Sequence, residues 1–249
     1  VGGAAERALV CFPYAGGNAV NYQPMASALA STGMAVFAVD LPGHDLAAHH
    51  EPFASIAQVA ERVAAEIAAR GLTRVLLWGH SSGTAQAIET ARKLKEHGVD
   101  VPRVFLGAQL LGTAAARRAA VAELTGLSNA EIAARLTAES GYTELSELNA
   151  EHAEHIGAAY RHDCVSAHRY FCAAMKDPAP VKLAAPVSVV VAADDPHTAG
   201  HAKRYQDWLL LAEHVDLHEL PDGGHYFPRT CPAQAAQAVL GVVAPLSSS

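Results

Sequence analysis

The chain has 249 residues, 51% hydrophobic and 17% charged, with 18 Lys and Arg against 25 Asp and Glu and a net charge of −7. This is ordinary globular composition, long enough for one domain with a sizeable core. The acidic balance, without any Lys/Arg cluster, excludes a nucleic-acid surface; no apolar run approaches the ~20 residues that span a bilayer, and no signal-peptide pattern opens the chain.

Ala8 to Phe12 reads as a buried strand running into a turn-rich loop, Pro13-Tyr14-Ala15-Gly16-Gly17-Asn18. Asn21 to Ser31 is helical and stops at Gly33. Met34 to Val39 is the next strand, ended by Asp40-Leu41-Pro42-Gly43-His44. Ser55 and Gln58 form a capping box for a helix with Ile56, Val59, Ala60, Val63 and Ile67 on one face, closed at Gly71. Val75 to Trp78 is a strand, and the helix beyond Ser81 runs to about His97, with Gly98 as its stop. Val104 to Leu111 reads as another buried strand. From Gly112 to about Asp163 there is no strand candidate, only helical patterns interrupted at Gly126 and Gly141. Strands then return at Pro186 to Ala192 and Val215 to Leu220, with helices over Ala199 to Leu211 and Pro232 to Val243. Apolar strands alternating with amphipathic helices predict a mostly parallel sheet covered on both faces. Residues 1–249 form a single domain on this reading, with a helical insertion at about 112–163 that is too long and too patterned for an idle loop.

Gly79-His80-Ser81-Ser82-Gly83 joins a strand directly to a helix. A Gly-x-Ser-x-Gly in that context is a nucleophile elbow, with the serine on a tight, strained turn and the first helical N–H groups, beginning with Ser82, aimed at a forming negative charge. Serine needs a base, and the base an orienting acid. In the α/β-hydrolase order both follow the serine. His225, in Asp222-Gly223-Gly224-His225-Tyr226 directly after a strand, is the base. The acid is Asp194 or Asp195, at the carboxyl end of the strand Val187 to Ala192; the earlier strand ends Gln109-Leu110-Leu111-Gly112-Thr113, without a carboxylate. The Tyr14-Ala15-Gly16-Gly17 loop provides a second oxyanion N–H, that of Ala15. Glu151, His152, Glu154 and His155 have helical metal-ligand spacing but lack a third ligand motif and read as a solvated helix face. His49-His50 reads as exposed loop. Cys11 reads as a buried strand residue, Cys164 and Cys172 as helix-packing residues. Without CxxC spacing, free thiols in a reducing cytoplasm are expected.

Taken in order, Phe12-Pro13-Tyr14-Ala15-Gly16-Gly17, Leu41-Pro42-Gly43, the elbow, Asp194-Asp195-Pro196 and Asp222-Gly223-Gly224-His225 resemble the thioesterases of nonribosomal peptide and polyketide assembly lines, especially the free-standing type II enzymes. The resemblance covers nearly the whole chain, and Ala159-Tyr160-Arg161-His162-Asp163 is similar to the segment closing their lid. It implies an α/β-hydrolase fold in which Ser81, Asp195 and His225 are the triad, Ala15 and Ser82 supply the oxyanion N–H groups, and the inserted helices are a lid over the acyl pocket. It implies hydrolysis of acyl or peptidyl thioesters from the phosphopantetheine arm of a carrier protein, by a cytoplasmic monomer needing no metal and no dissociable cofactor, since the pantetheine arrives on the substrate. The chain departs from the type II pattern in the polar Ser82 and Thr84, in His44 where an arginine-rich continuation is usual, and in its short lead-in. A chain-releasing cyclase or acyltransferase domain cut from a synthetase, a small-molecule carboxylesterase and a noncatalytic hydrolase-fold binding module are the alternatives on the same fold.

Overall fold

The computed structural model describes residues 7–45, 51–138 and 150–243; His49, His50 and Gly141 lie outside them. The strands are β1 (Ala8–Phe12), β2 (Ala35–Ala38), β3 (Val75–His80), β4 (Val104–Gly107), β5 (Val187–Ala192) and β6 (Val215–Leu220). They form a six-stranded sheet in the order β2-β1-β3-β4-β5-β6, with every pairing parallel.

Alternation along the strands builds two cores, because successive side chains leave a strand on opposite faces. Val10, Leu77, Leu106 and Val189 face one way, onto α2 (Ile56–Ala69) and α3 (Gly83–Glu96). Leu9, Cys11, Trp78, Phe105 and Val190 face the other, onto α1 (Gln23–Leu29) and α9 (Pro232–Val243). Burial from both sides is why these strands are apolar throughout rather than alternating. The capping box of α2 forms as expected, Ser55 accepting from the Gln58 N–H; Ala64 is buried on its inner face, and Val63 packs partly buried against the same core.

Two boundaries differ from expectation. β4 stops at Gly107, because Ala108 adopts a left-handed backbone with φ +52°. Its N–H still reaches the Val190 carbonyl at 2.8 Å, but Gln109 to Leu111 leave the sheet. The helical stretch between β4 and β5 also runs past Asp163. It comprises α4 (Ala114–Gly126), α5 (Asn129–Ala138) and α6 (Ala150–Lys176). The far half of α6 is anchored in the core by Phe171, fully buried beside Trp208. Two short helices, α7 (His201–Arg204) and α8 (Phe227–Thr230), complete the set.

Phe171, with Ala167 beside it, links α6 to the core over the sheet. Phe171→Ala is expected to lower stability by about 3–5 kcal/mol, the usual cost of emptying a buried aromatic site. The measurement is the denaturant midpoint, which should fall with m unchanged.

Candidate active site

Ser81 follows β3 with φ +51°, a left-handed conformation that is rare for a residue with a side chain. Its N–H donates to the Gly107 carbonyl at 2.8 Å, tying the turn to β4. The flanking glycines are there for space. A Cβ on Gly79 would lie 2.4 Å from the Gly83 carbonyl oxygen, and one on Gly83 would lie 2.4 Å from that of Pro13. The second contact also shows that the loop after β1 packs directly on the elbow. In that loop Gly16 takes φ +69° and the Gly17 N–H donates to the Tyr14 carbonyl at 2.8 Å, a turn that needs glycine at its third position. Ala15 is the residue between, and it is buried. Ser82 stands at the head of α3.

His225 reaches this point from the loop after β6. Its Nε2 lies 3.1 Å from Ser81 Oγ, and its Nδ1 lies 2.9 Å from Asp195 Oδ2. A carboxylate only accepts, so Nδ1 carries the proton and Nε2 is left to accept from the serine hydroxyl. Asp195 is fully buried at its side chain. Burial alone would raise its pKa, but the His225 hydrogen bond and charge, with the His197 N–H, outweigh it and hold the carboxyl below its ordinary value. The neighbouring carboxylate does a different job: Asp194 Oδ1 accepts from the Gly224 N–H at 2.8 Å, holding the glycine turn that presents His225. The structure thus separates the two aspartates that the residues alone leave open.

Several contributors were not legible beforehand. His80, inside the pentapeptide, is fully buried and its Nε2 lies 2.6 Å from the His225 carbonyl. Burial, then the nearby His225, depresses its pKa to about 3, so it is a neutral Nε2–H donor that clamps the histidine loop to β3. Asp163 of α6 is buried; its Oδ2 accepts from the Gly16 N–H at 2.9 Å and lies 2.8 Å from His44 Nε2. One carboxylate oxygen therefore joins the loop after β1, the loop after β2 and α6. The departure at His44 was visible in the sequence, but its partner was not.

His44 Nδ1 faces the Pro42 carbonyl at 3.1 Å. Both of its partners only accept, so the contacts favour the doubly protonated ring. Burial pushes the other way, but Asp163 and the Pro42 and Leu41 carbonyls prevail and raise the His44 pKa above 6.5.

Cys164 lines the cavity at Ser81 rather than serving only helix packing. His155 is not on a solvated face: it packs against Phe53, and its Nε2 is buried without a hydrogen-bond partner among the described residues. Glu154 accepts from Asn129 on α5. Metal-ligand atoms do come together elsewhere, on Asp195, His197 and His225, all within 4.8 Å. An ion there would compete for the carboxylate and imidazole that already bond each other. The cavity containing Ser81 and His225 measures about 240 Å³. A larger one of about 460 Å³ lies between β2 and α2 at the sheet edge and holds none of these groups.

Residues 7–241 match the family model described as Thioesterase domain. The chain belongs to the thioesterase family. A protein of Streptomyces griseus described as "Probable cadicidin biosynthesis thioesterase" is 26% identical over 231 residues, 88% of this chain and 57% of that protein. The chain therefore spans little more than half the length of that curated relative. RedJ, a thioesterase from the prodiginine biosynthetic pathway of Streptomyces coelicolor, is 25% identical with a TM-score of 0.73, over 96% of this chain and 85% of RedJ. BorB, the type II thioesterase of the borrelidin biosynthetic cluster, is 26% identical with a TM-score of 0.67, over 96% of this chain and 93% of BorB. The fold is that of the α/β hydrolases.

Asp195→Asn is expected to lower turnover at least ~10²-fold by favouring the wrong histidine tautomer, while Asp194→Asn, whose amide oxygen can still accept from Gly224, should cost no more than roughly tenfold. Steady-state rates of the two variants, measured side by side, check this; a larger loss at Asp194 reverses the assignment.

The raised His44 pKa has a consequence for stability. Its contribution is fully present below pH 6.5, the ordinary value, and disappears as pH rises through the higher folded value. The gap in denaturation midpoint between the wild type and His44→Phe should be wider at pH 6 than at pH 9.

Proposed function

We propose that this chain is a serine thioesterase that hydrolyses acyl or peptidyl thioesters from the phosphopantetheine arm of a carrier protein in polyketide or nonribosomal peptide biosynthesis, for editing or release. The observation that carries the reading is the continuous relay from Ser81 Oγ through His225 to a buried Asp195 in a chain of the thioesterase family.

Ser81 Oγ attacks the thioester carbonyl while His225 Nε2 takes its proton; Asp195 holds the imidazole and stabilises the imidazolium. The oxyanion is received by the N–H groups of Ala15 and Ser82. The tetrahedral intermediate expels the pantetheine thiolate, which leaves with the proton from His225. Water then enters, gives a proton to His225 and attacks the acyl-serine, freeing the acid and restoring the hydroxyl. No metal or dissociable cofactor takes part in these steps, and the pantetheine comes and goes with the carrier.

The inserted helices α4 to α6 serve as the lid. Support comes from Tyr160 and Cys164 of α6 lining the cavity at Ser81 and from Asp163 tying that helix to the oxyanion loop. The enzyme works as a cytoplasmic monomer. Its cysteines Cys11, Cys164, Cys172 and Cys231 are free thiols, which suits a reducing compartment; among the described residues no helix is long and apolar enough to cross a membrane.

Ser81→Ala should fold like the wild type and lose both turnover and labelling by a fluorophosphonate. Wild-type enzyme should release an acyl group from a loaded carrier protein faster than from a simple ester of the same acid. A faster rate on the ester would identify a carboxylesterase instead.

A further inference from the structure

Arg117 lies in the first turn of α4, is only 4% exposed, and lines the same cavity as Ser81 and His225. Its setting is unusual for a cation. The amino end of a helix carries the positive pole of the helix dipole, which disfavours a positive side chain. Among the described residues no carboxylate lies within salt-bridge distance of its guanidinium. Its bonds go to neutral acceptors instead: Nε donates to the Leu111 carbonyl at 2.6 Å, Nη2 to the Leu110 carbonyl at 2.9 Å, and Nη1 to His168 Nδ1 at 3.2 Å. The guanidinium rests over the Phe171 ring, 4.3 Å from its centroid. Burial lowers its pKa to about 10, and it stays charged at neutral pH.

His168 does not supply the missing charge. Arginine only donates, so His168 Nδ1 must accept; burial first, then the Arg117 charge, pushes its pKa down to about 4. A second arginine, Arg204, also lines the cavity; it is exposed, bonds the Ala199 carbonyl, and among the described residues has no carboxylate within salt-bridge distance. No Asp or Glu lines the cavity among the described residues. In a chain of net charge −7 this is a local concentration of positive charge, and Arg117 is placed in it against both the helix dipole and burial. Local choices that oppose stability are expected where function requires them. Three of the five guanidinium N–H donors of Arg117 are used; the other two, one on each Nη, make no hydrogen bond among the described residues.

We propose that the cavity selects short acyl groups ending in a carboxylate, half-thioesters of small dicarboxylic acids, and that Arg117 is the specificity-determining residue that receives that carboxylate. The inference rests on the thioesterase reading for its reaction, but not for the ion pair. The volume of about 240 Å³ suits a chain of a few carbons. A carboxylate within it gives Arg117 the charged partner it lacks and takes up free donors in the geometry guanidinium favours.

The test compares succinyl thioester with its uncharged isostere, 4-methylpentanoyl thioester, each carried on N-acetylcysteamine and on phosphopantetheine. Wild-type kcat/KM should favour succinyl at least about tenfold on both carriers, as expected for charge-assisted hydrogen bonds. Arg117→Met should abolish or reverse that ratio, and Arg117→Lys should keep part of it. No wild-type preference for succinyl, or a preference unchanged in Arg117→Met, overturns the proposal. A gain from phosphopantetheine alone, equal for both acyl groups, also overturns it and assigns the positive charge to the arm's phosphate. Calorimetry on the Ser81→Ala protein separates the two readings. If wild type turns over neither thioester yet Ser81→Ala binds succinyl thioester about tenfold more tightly than the isostere, the carboxylate site stands and the thioesterase reading fails. If there is neither turnover nor selective binding, both fail.

Discussion

Everything at this site depends on holding a serine in a left-handed backbone conformation at the end of a parallel strand. At φ +51° Ser81 costs backbone energy that the surrounding structure must offset. The offset comes from the Ser81 N–H bond to Gly107 and from glycines that let strand, helix and the loop after β1 approach within distances no Cβ would allow. Once those backbones touch, the hydroxyl, the head of α3 and the Ala15 turn occupy one place. The histidine loop is then brought to them and clamped by His80 and Asp194. Both clamps act on the loop backbone, leaving the His225 ring to face the serine on one side and Asp195 on the other.

A second constraint couples this centre to the inserted helices. Asp163 is buried, and a buried carboxylate requires partners. It finds them in the Gly16 N–H and the His44 ring. The same helix carries Phe171 into the core and places Cys164 and His168 along the cavity. A shift of α6 therefore cannot occur without disturbing the loop after β1, which gives the inserted helices a part in shaping the site. The polar lining of that cavity, with Arg117 and Arg204, sets it apart from an apolar slot for a long alkyl chain.

Much of the fold was legible because both-face burial makes parallel strands continuously apolar, and capping and stop signals are local. The Ser55–Gln58 box and the stops at Gly33, Gly71 and Gly98 all act over a few residues. Where expectation failed, the cause was not local. Gln109 to Leu111 look like the end of a strand, but alanine carries no signature for the left-handed turn at Ala108; the turn exists because neighbouring strands and Arg117 hold the chain there. His155 has the pattern of an exposed helix face until Phe53 is packed against it.

For the site the division is similar. The elbow, the histidine after the last strand and the paired aspartates could be read from the sequence by itself, because each is a short motif whose chemistry dictates its spacing from a strand end. Family membership followed from several such motifs in one order. The motifs by themselves left Asp194 and Asp195 open and the resemblance pointed to Asp195; the tertiary structure supplies the physical reason, with Asp195 facing His225 and Asp194 bonding the Gly224 N–H. Only tertiary structure could pair Asp163 with His44 across 119 residues of chain or leave Arg117 buried in the cavity without a counter-charge among the described residues. A side chain's charge is written in its sequence position, but its partners are set by which distant segments the folded backbone brings within a few ångströms.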